Sequence, residues 1–455
     1  MTKAALGGGL FLAPGHENEV NILNQFKLVN PEYKMAMGLR NQGKYIALPD
    51  QHINACHRIP HEHPWGGGLA IPRKAATSMG IAAFVDVRTA PAADKIHLND
   101  EFSLRAYQQE ALDSWLKNDG DGVIIAPCGA GKTAIGVAAM TEFDTKALVL
   151  VHTNDLAVQW MNRIESMLNE KATQYGAGKK DDSGRIVVAT FQTLERMSFN
   201  QRYAFGKQFG LCIVDEAHHV PAHTFCSVMF CMPARYRLGL TATPDRPDGL
   251  TNILWWHFGP SVYEITNAQL ARSGHVLPPR IEWFFTNWIG PSQRVDWSKL
   301  ITKMTTDHER NGMILNRILE ACDDGRQILV LSDRVDHCIK MAETLRSHNI
   351  EAEPLVGKMT KKQRQEVLER ADKREIQVVC ATTVADEGLD LPSLDTVVLT
   401  TPTKALGRIQ QRIGRVMRPH PLKKNPIVID CVDDIGSMRG LARKRNRLYS
   451  RIGCS

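Results

Sequence analysis

The sequence predicts an α/β protein in which two parallel-sheet units follow a small α+β accessory region. Short apolar runs typical of buried strands alternate with helical patterns from about residue 100 to 270, and the alternation resumes from about 305 to 455. The first 95 or so residues are instead rich in Gly, Pro and His. With 455 residues, 43% of them hydrophobic, the chain is long enough for two or three cores.

These patterns divide the chain into an accessory domain (1–98), a first sheet domain (99–275), a linker rich in Pro and Trp (276–304) and a second sheet domain (305–455). The accessory region carries the β-like runs KYIALP and GGLAIP between turn residues. The first sheet domain contains GVIIAP, ALVLVH, RIVVAT, LCIVDE and YRLGLT, and the second contains QILVLS, IQVVCAT, TVVLTT and PIVIDC. A capping box, TKKQ at 360–363, predicts the start of a helix.

Composition argues against a membrane or disulfide-bonded protein. No apolar stretch approaches the roughly 20 residues of a membrane span, and the start AALGGGLFLAPG is too short and weak for a signal peptide. The ten cysteines are scattered without a C-x-x-C pair, which favours a reducing, cytoplasmic compartment. The segment HINACHRIPHEH fits no standard zinc spacing, so we interpret it as a polar loop; its candidate ligands are His52, Cys56, His57, His61 and His63.

Residues 124–133, IIAPCGAGKT, indicate a phosphate-binding loop. Two glycines allow a tight turn that points backbone N–H groups at phosphate oxygens, Lys132 can reach the outer phosphates and the Thr133 hydroxyl can hold Mg²⁺. The loop follows a predicted strand and precedes a predicted helix, whose N-terminus favours an anion. Ala126 stands where the full pattern has its first glycine, so other motifs must decide between this site and an ordinary turn.

The segment LCIVDEAHH (211–219) supplies the second half of a hydrolytic site. It places two carboxylates, Asp215 and Glu216, at the end of an apolar strand. After a phosphate loop on a neighbouring strand, such an Asp can hold Mg²⁺ through water, and the adjacent Glu can orient and deprotonate an attacking water. Surface acids at a strand end are the alternative, which the preceding GAGKT disfavours.

The ordered segments GAGKT, DEAH, GLTATP (239–244), ATTVADEGLDLP (381–392) and QRIGRVMRP (411–419) resemble the motifs of DEAH-type superfamily two helicases and translocases. The resemblance covers roughly residues 100 to 430. It implies two tandem RecA-like domains that bind ATP and Mg²⁺. The phosphate loop of that family is written A-x-x-G-x-G-K-T, which Ala126 to Thr133 fit position by position.

The resemblance also implies individual roles in the nucleotide site. The implied nucleotide-binding residues are Arg105, Gln108, Gly129, Ala130, Gly131, Lys132, Thr133, Gly388 and Asp390. The implied metal-holding residues are Thr133 and Asp215. The implied catalytic residues are Lys132, Asp215, Glu216, Gln411, Arg415 and Arg418, the two arginines acting as fingers that neutralise charge on the transferred phosphoryl group when the domains close. Met417 stands where that arginine motif commonly has glycine.

Two further groups of residues follow from the resemblance. Those that would couple hydrolysis to strand binding are His218, Thr241 and Thr243; His219 does not match and is interpreted as packing or surface. Those that would contact the nucleic-acid backbone are Thr153, Gln192, Thr193 and Thr382. Ordinary loop capping is the alternative for the first three.

Basic and aromatic clusters add to the expectation of a polyanionic partner. The net charge is only +7, but residues 437–455 carry six Lys or Arg and no acid. The tryptophans could stack on unpaired bases, although packing in the linker is the interpretation we favour; they are Trp255, Trp256, Trp283, Trp288 and Trp297. We expect the accessory domain to bind DNA as well.

The compact chain and the Thr-Ala-Thr of its third motif resemble the branch that contains the XPB repair helicases and the phage UvsW-like branch-migration helicases. The sequence therefore predicts an ATP-dependent DNA helicase or translocase that remodels branched or forked DNA in recombination, repair or replication. The alternatives are an RNA helicase, the motor subunit of a restriction system and, from a different class, a nucleic-acid-binding scaffold with a dead ATP site.

Overall fold

The computed structural model folds into two compact units, residues 1–126 with 131–265 and residues 127–130 with 266–455. It describes residues 4–16, 19–41, 46–63, 66–74, 84–127, 129–216, 220, 222–242, 249–291, 295–382, 391, 393–402, 406–417, 419–421 and 423–454, with the backbone alone at 361, 407, 408, 411 and 415. Within these ranges no helix is both long and apolar enough to cross a bilayer.

The N-terminal part of the first unit is a small, mostly antiparallel sheet in the order β5-β6-β2-β1-β7. Its strands are β1 (Ala4–Leu6), β2 (Gly9–Leu12), β5 (His57–Arg58), β6 (Leu69–Pro72) and β7 (Val85–Asp86). A second pair is formed by β3 (Lys27–Val29) and β4 (His52–Asn54), and the helices are α1 (Glu19–Gln25) and α2 (Pro31–Arg40). The predicted run GGLAIP contains β6, whereas residues 46–49, the described part of KYIALP, form no strand.

A larger sheet follows in the order β11-β10-β12-β9-β13-β14-β8-β15, parallel except for the β10–β11 pair. Its strands are β8 (Asp121–Ile125), β9 (Ala147–Val151), β10 (Thr173–Gly176), β11 (Lys179–Lys180), β12 (Ile186–Thr190), β13 (Leu211–Asp215), β14 (Tyr236–Thr241) and β15 (Ser261–Glu264). The central strands are buried throughout, as their continuous apolar runs predicted.

Helices connect and cover these strands. They are α3 (Ala106–Lys117), α4 (Lys132–Ala139), α5 (Asn154–Leu168), α6 (Phe191–Glu195), α7 (Phe199–Gly206), α8 (Ala222–Met229) and α9 (Asn252–Phe258). The carboxyl ends of β8, β9, β12 and β13 all lie at one edge of the sheet, because parallel strands end together. The sequence places its phosphate loop and both carboxylates at that edge.

The second unit is a parallel sheet in the order β16-β21-β20-β17-β19-β18. Its strands are β16 (Arg280–Phe285), β17 (Ile328–Leu331), β18 (Ala352–Leu355), β19 (Val378–Ala381), β20 (Thr396–Leu399) and β21 (Ile427–Val432). Its helices are α10 (Asn267–Arg272), α11 (Trp297–Thr306), α12 (His308–Asp323), α13 (Val335–Ser347), α14 (Lys361–Asp372), α15 (Leu406–Val416) and α16 (Gly436–Arg451). The predicted capping box at α14 is present, since Thr360 accepts a bond from Gln363 N at 3.3 Å. The α/β class with two parallel-sheet domains is thus confirmed.

The segment predicted as a linker, 276–304, is not merely connecting chain. Strand β16 lies inside it and pairs in parallel with β21 from Arg280↔Ile427 to Phe285↔Val432. As an edge strand, β16 is only partly buried, unlike the central strands of the first sheet, which are buried throughout. The tryptophans of this region pack against protein: Trp283 lies 5.7 Å from the Tyr449 ring, and Trp288 donates to Asp307 at 3.0 Å.

Buried arginines join the small N-terminal sheet to the large sheet. Arg237 on β14 is fully buried, and its Nη2 donates to the carbonyl oxygens of Gly8 and Met232, both at 2.6 Å. Arg73 donates to the carbonyls of Ala234 and Arg235 at 2.8 and 2.7 Å. These bonds satisfy buried backbone groups on both sides, so the two sheets share one interior.

Candidate functional site

The phosphate loop connects β8 to α4 through residues with left-handed backbone angles. Gly129 has φ +87° and Gly131 has φ +77°, a region that side chains rarely adopt. Gly131 is the N-cap of α4, so the helix N-terminus opens directly on the loop. Ala126 is buried, and its N–H donates to the carbonyl of Thr241 at 2.8 Å. The residue that replaces glycine therefore belongs to the sheet edge rather than to the turn.

Lys132, the first residue of α4, is held by two oxygens. Its Nζ lies 3.1 Å from Glu216 Oε1 and donates to the carbonyl of Ala126 at 3.2 Å. Glu216 directly follows β13 with φ +49°, a conformation that costs a residue with a side chain about 1–3 kcal/mol. Strain of this kind persists where the surrounding contacts fix the residue, here the 2.9 Å bond from Glu216 N to Leu240 O. The lysine and the glutamate are thereby positioned against each other.

Asp215, at the end of β13, is only 5% exposed. Its Oδ2 accepts the indole N–H of Trp160 at 2.8 Å, while Oδ1 is buried without a hydrogen-bond partner among the described residues. Burial, and then the neighbouring charge of Glu216, raise the pKa of this carboxyl to about 6, and Lys132 opposes that shift. A buried carboxylate oxygen of this kind fits the water shell of Mg²⁺, and the donor set here is oxygen only. Thr133, the other predicted metal residue, is the second residue of α4.

The predicted adenine residues lie at the start of α3. Gln108 accepts the N–H of Arg105 at 3.0 Å, and Arg105 donates to the Tyr107 hydroxyl at 2.9 Å. A Cβ added to Gly131 would lie only 2.3 Å from Gln108 Nε2. The Gln108 amide therefore lies against the phosphate loop, next to the start of the predicted base-recognition segment.

Several predicted site residues lie beyond the part of the chain that the structure describes. Gly388, Asp390, His218, Thr243 and Arg418 lie outside the described residues. Gln411 and Arg415 belong to α15, where only their backbone is described. Of the remainder, Thr241 is the buried last residue of β14, and Thr382 follows β19 with its N–H bonded to Leu355 O at 3.3 Å.

The structure brings three predicted strand-contact residues together in one cleft. The cleft has a volume of about 670 Å³, and Thr153, Gln192 and Thr193 all line it. Thr153 caps α5 by accepting Leu156 N at 3.3 Å, and Thr193 Oγ1 lies 2.8 Å from Thr190 Oγ1. Thr153 thus has a capping role, whereas the cap of α6 is Thr190, whose Oγ1 accepts Thr193 N at 3.4 Å. Thr153 and Thr193 both lie in the wall of the cleft, where the exposed Gln192 also lies.

A basic hairpin, which the sequence analysis missed, forms part of the same cleft. Strands β10 and β11 pair through Tyr175↔Lys180 and Gly176↔Lys179, which leaves a two-residue turn of Ala177 and Gly178. Both turn residues have positive φ, +53° and +84°, as a type I′ turn requires. A Cβ on Gly176 would lie 3.1 Å from Thr193 Oγ1, so the hairpin packs closely on the predicted contact residues. Its exposed lysines and Arg196 make the cleft basic; the signal in the sequence was YGAGKK.

The basic C-terminal segment is an ordered helix, α16, with two distinct sides. Four arginines spaced every fourth residue are exposed: Arg439, Arg443, Arg447 and Arg451. Arg445 is buried and bonds to both oxygens of Asp430, at 2.7 and 2.8 Å, and the Tyr449 hydroxyl donates to the same carboxylate at 2.6 Å. One of the arginines that the sequence grouped together is therefore structural.

The histidine cluster is used for packing at two of its positions. His57 stacks on Phe199 with 5.5 Å between ring centroids, and His63 lies edge-on to Tyr203 at 4.6 Å. Burial lowers the pKa of both histidines, which favours the neutral rings. In the described part of the chain, no group of three or more His, Cys, Asp or Glu is close enough to hold a metal ion.

Comparison with known proteins matches one family model to each unit. Residues 101–246 match the family "Type III restriction enzyme, res subunit", and residues 312–420 match "Helicase conserved C-terminal domain". A "Putative ATP-dependent RNA helicase" of Acanthamoeba polyphaga mimivirus is 30% identical over 361 residues, covering 77% of this chain and 68% of the relative. The "DNA 3'-5' translocase XPB2" of Sulfurisphaera tokodaii is 26% identical over 383 residues, covering 76% of this chain and 85% of the relative.

A solved structure of S. cerevisiae Dbp5 bound to RNA and ADP BeF3 has a TM-score of 0.56. It is 15% identical in sequence, and the superposition covers 77% of this chain and 88% of that one. At this level of identity the comparison supports the fold alone.

Proposed function

Because the chain belongs to the superfamily two helicases, which use ATP to drive movement on nucleic acid, we propose that it is a DNA translocase or helicase acting on branched or forked DNA. The observation that carries the proposal is the arrangement at the end of β13. There the Lys132–Glu216 ion pair adjoins a buried aspartate, one oxygen of which has no hydrogen-bond partner within the described ranges. This combination suits phosphoryl transfer from a nucleoside triphosphate to water.

Each residue of that arrangement has a chemical task in the proposal. Lys132 exchanges its contact with Glu216 for the outer phosphates of ATP, which frees the Glu216 carboxylate to orient a water and accept its proton. Thr133 and Asp215 would hold Mg²⁺, which, when bound, supplies charge neutralisation at the phosphates. The N–H groups of the loop at Gly129 to Gly131 complete the cradle.

The remaining nucleotide residues stay predictions. Arg105 and Gln108 are assigned to adenine. Gly388 and Asp390 are assigned to the nucleotide, Gln411 to the attacking water, and Arg415 and Arg418 to the charge that develops on the phosphoryl group. His218, Thr241 and Thr243 are assigned to coupling.

We assign the backbone of the bound strand to the cleft of the first unit. Thr153, Gln192 and Thr193 offer hydroxyl and amide donors, the N-terminus of α5 opens on the cleft, and Lys179, Lys180 and Arg196 supply positive charge. Contacts of this kind hold phosphates without reading bases, as a motor that moves along any sequence requires. Thr382 is assigned to a strand contact in the second unit.

The choice of DNA rests on the Thr-Ala-Thr motif and on the relative named as a DNA translocase. RNA is the second candidate, because the mimivirus relative is named as an RNA helicase. The preference for forks and junctions rests on the resemblance to the branch-migration helicases alone.

A panel of nucleic acids separates these substrates. ATP hydrolysis by the full chain would be measured with a single strand, a duplex, a fork, a four-way junction and RNA at one stated salt concentration, since phosphate binding depends on salt. We expect the fork or the junction to stimulate most. Equal or greater stimulation by RNA would reverse the DNA assignment.

The Lys132→Ala variant tests whether the protein needs ATP hydrolysis for its activity or is a nucleic-acid-binding scaffold. We expect it to abolish stimulated hydrolysis and strand movement, because the cation that binds the outer phosphates is lost, while DNA affinity without nucleotide stays unchanged. A variant that retained full remodelling activity would identify the protein as a scaffold with a dead ATP site.

A further inference from the structure

Trp160 lies where three functional elements of the first unit meet. It belongs to α5, its indole N–H bonds to Asp215 at the end of β13, and its ring packs over Gly136 of α4. A Cβ on Gly136 would lie 2.5 Å from Trp160 Cη2, so only glycine allows the ring to fit there. The side chain is 1% exposed, which means that the hydrogen bond is shielded from water.

Helix α5, which carries Trp160, begins at the cleft that we assign to the bound strand. Thr153 is the N-cap of α5, and both Thr153 and Asn154 line the cleft. Trp160 lies seven residues after Thr153, two helical turns later and on the same face of the helix. A single rigid element thus has one end in the wall of the cleft and, about 10 Å along its axis, a side chain bonded to the carboxylate assigned to the metal.

We propose that Trp160 is a positioning residue that holds Asp215 for Mg²⁺ and transmits the position of α5, set by the bound strand, to the nucleotide site. The inference rests on the proposed function. With Oδ2 taken by the indole N–H, Oδ1 is the oxygen left for the metal and its water shell. A small shift of α5 changes this bond, because hydrogen bonds weaken steeply with length and angle.

The chain offers a matched control. Trp115 on α3 is also fully buried, and its indole N–H donates to a backbone carbonyl, that of Arg237, at 3.0 Å. Trp160→Phe and Trp115→Phe therefore each remove one buried indole hydrogen bond and keep an aromatic ring. A merely structural role for Trp160 predicts that the two variants behave alike.

The experiment compares the two full-length variants with the wild type in three measurements. These are the affinity for a fluorescent ATP analogue with Mg²⁺ and with EDTA, the affinity for a single DNA strand, and the ratio of strand-stimulated to basal hydrolysis. In Trp160→Phe we expect unchanged DNA affinity, a smaller gain in nucleotide affinity from Mg²⁺, and a stimulation ratio lower by about tenfold, the size expected for losing a bond to a charged group. In Trp115→Phe, the gain in nucleotide affinity from Mg²⁺ and the ratio of stimulated to basal hydrolysis should both stay at the wild-type values.

Equal Mg²⁺ gains and equal stimulation ratios in the two variants would overturn the inference. If the wild type is not stimulated by DNA, the proposed function fails, whereas the Mg²⁺-dependent affinity still decides whether Trp160 positions Asp215. Should Trp160→Phe fail to fold, Gly136→Ala provides a second test, because its methyl group displaces the indole ring without removing it. Gly136→Ala should reduce the increase in nucleotide affinity that Mg²⁺ produces, as Trp160→Phe does. An increase equal to that of the wild type would contradict the proposal.

Discussion

At the scale of single residues, the phosphate loop depends on a position that leaves no room for a side chain. Gly131 combines φ +77° with an approach of 2.3 Å between a would-be Cβ and Gln108 Nε2. The same residue caps α4, so its geometry sets the direction of both the loop and the helix N-terminus. Nucleotide binding should therefore be sensitive to one methyl group here.

We predict that Gly131→Ala lowers the affinity for ATP by at least about tenfold, because left-handed backbone and the displaced Gln108 amide each cost roughly 1 kcal/mol or more. Equilibrium titration with a fluorescent ATP analogue measures this. Gly312→Ala is the control: nothing lies within 4 Å of its added Cβ, and it sits inside α12, where alanine is the better helix former. An ATP affinity unaffected by Gly131→Ala would show that the loop binds phosphate in another conformation.

A second prediction at this scale concerns pH and His337 of the second unit. Burial, and then the charge of Arg310, lower the pKa of this histidine to about 4, and the neutral ring lies 2.9 Å from Ser332 Oγ and 3.1 Å from Asn311 Oδ1. Since the pKa is about 6.5 in the unfolded chain, the histidine's contribution to stability is present above that pH and is lost as pH falls from 6.5 towards 4.

From pH 7 to pH 5 this loss should amount to about 1–2 kcal/mol. Urea unfolding at the two pH values, followed for the wild type and for His337→Asn, measures the difference. The exposed His308, replaced by Gln, should leave the pH dependence as in the wild type. A wild-type dependence that persists in His337→Asn would assign it to other groups.

At the scale of elements, the β10–β11 hairpin gives the cleft its charge. We predict that replacing Lys179 and Lys180 by Ala weakens binding to single-stranded DNA and makes the negative slope of log affinity against log salt shallower by about 1.4, which corresponds to two phosphate contacts. Basal hydrolysis should not change, because neither lysine is assigned to the nucleotide site. Lys171→Ala, an exposed lysine outside the cleft, is the control, and equal effects in the two variants would make the hairpin lysines ordinary surface charge.

Helix α16 allows a similar separation. Replacing the four exposed arginines, Arg439, Arg443, Arg447 and Arg451, by Gln should weaken DNA binding and flatten its salt dependence without lowering the melting temperature. Arg445→Gln should instead lower the melting temperature, because Asp430 would stay buried without its cation. If DNA binding is unchanged in the fourfold variant, the basic face is only a solvated surface.

The elements also show what the sequence could and could not predict. The strands β8, β9, β12, β13 and β14 were predicted because a short, continuous apolar run that ends in a turn is typical of a buried strand in a parallel sheet. The hairpin was missed because β11 is two lysines long and has no apolar alternation. Strand β16 was placed in a linker rich in Pro and Trp, although the alternation in RIEWFFT (280–286) is typical of a strand.

Some residues of the site could likewise be predicted from the sequence, and others could not. The phosphate loop before Lys132 and the adjacent pair Asp215 and Glu216 each lie within one short segment, so the sequence predicted both. The bond from Trp160 to Asp215 joins residues 55 positions apart, and nothing in the spacing of the sequence indicates it. Likewise, Arg445 looks like the other arginines of α16 until burial against Asp430 distinguishes it.

At the scale of the whole molecule, the proposal describes a motor with a nucleotide centre and a strand cleft on the same sheet edge of the first unit. Strands β9, β12 and β13 are hydrogen-bonded neighbours, so the elements that follow them, α5, α6 and the Asp215–Glu216 pair, emerge side by side. Loops and helix termini at that edge can therefore influence one another through short, packed connections.

Glu216→Gln tests the central claim most directly. Gln keeps an oxygen for Lys132 but cannot take the proton of the attacking water, so we predict that DNA-stimulated hydrolysis falls by about 10²–10⁴-fold while affinity for ATP and for DNA is retained. The measurement is steady-state hydrolysis with saturating DNA, paired with equilibrium nucleotide binding. Stimulated hydrolysis at the wild-type rate in this variant would contradict the account, because the reaction would then not use the carboxylate at the end of β13.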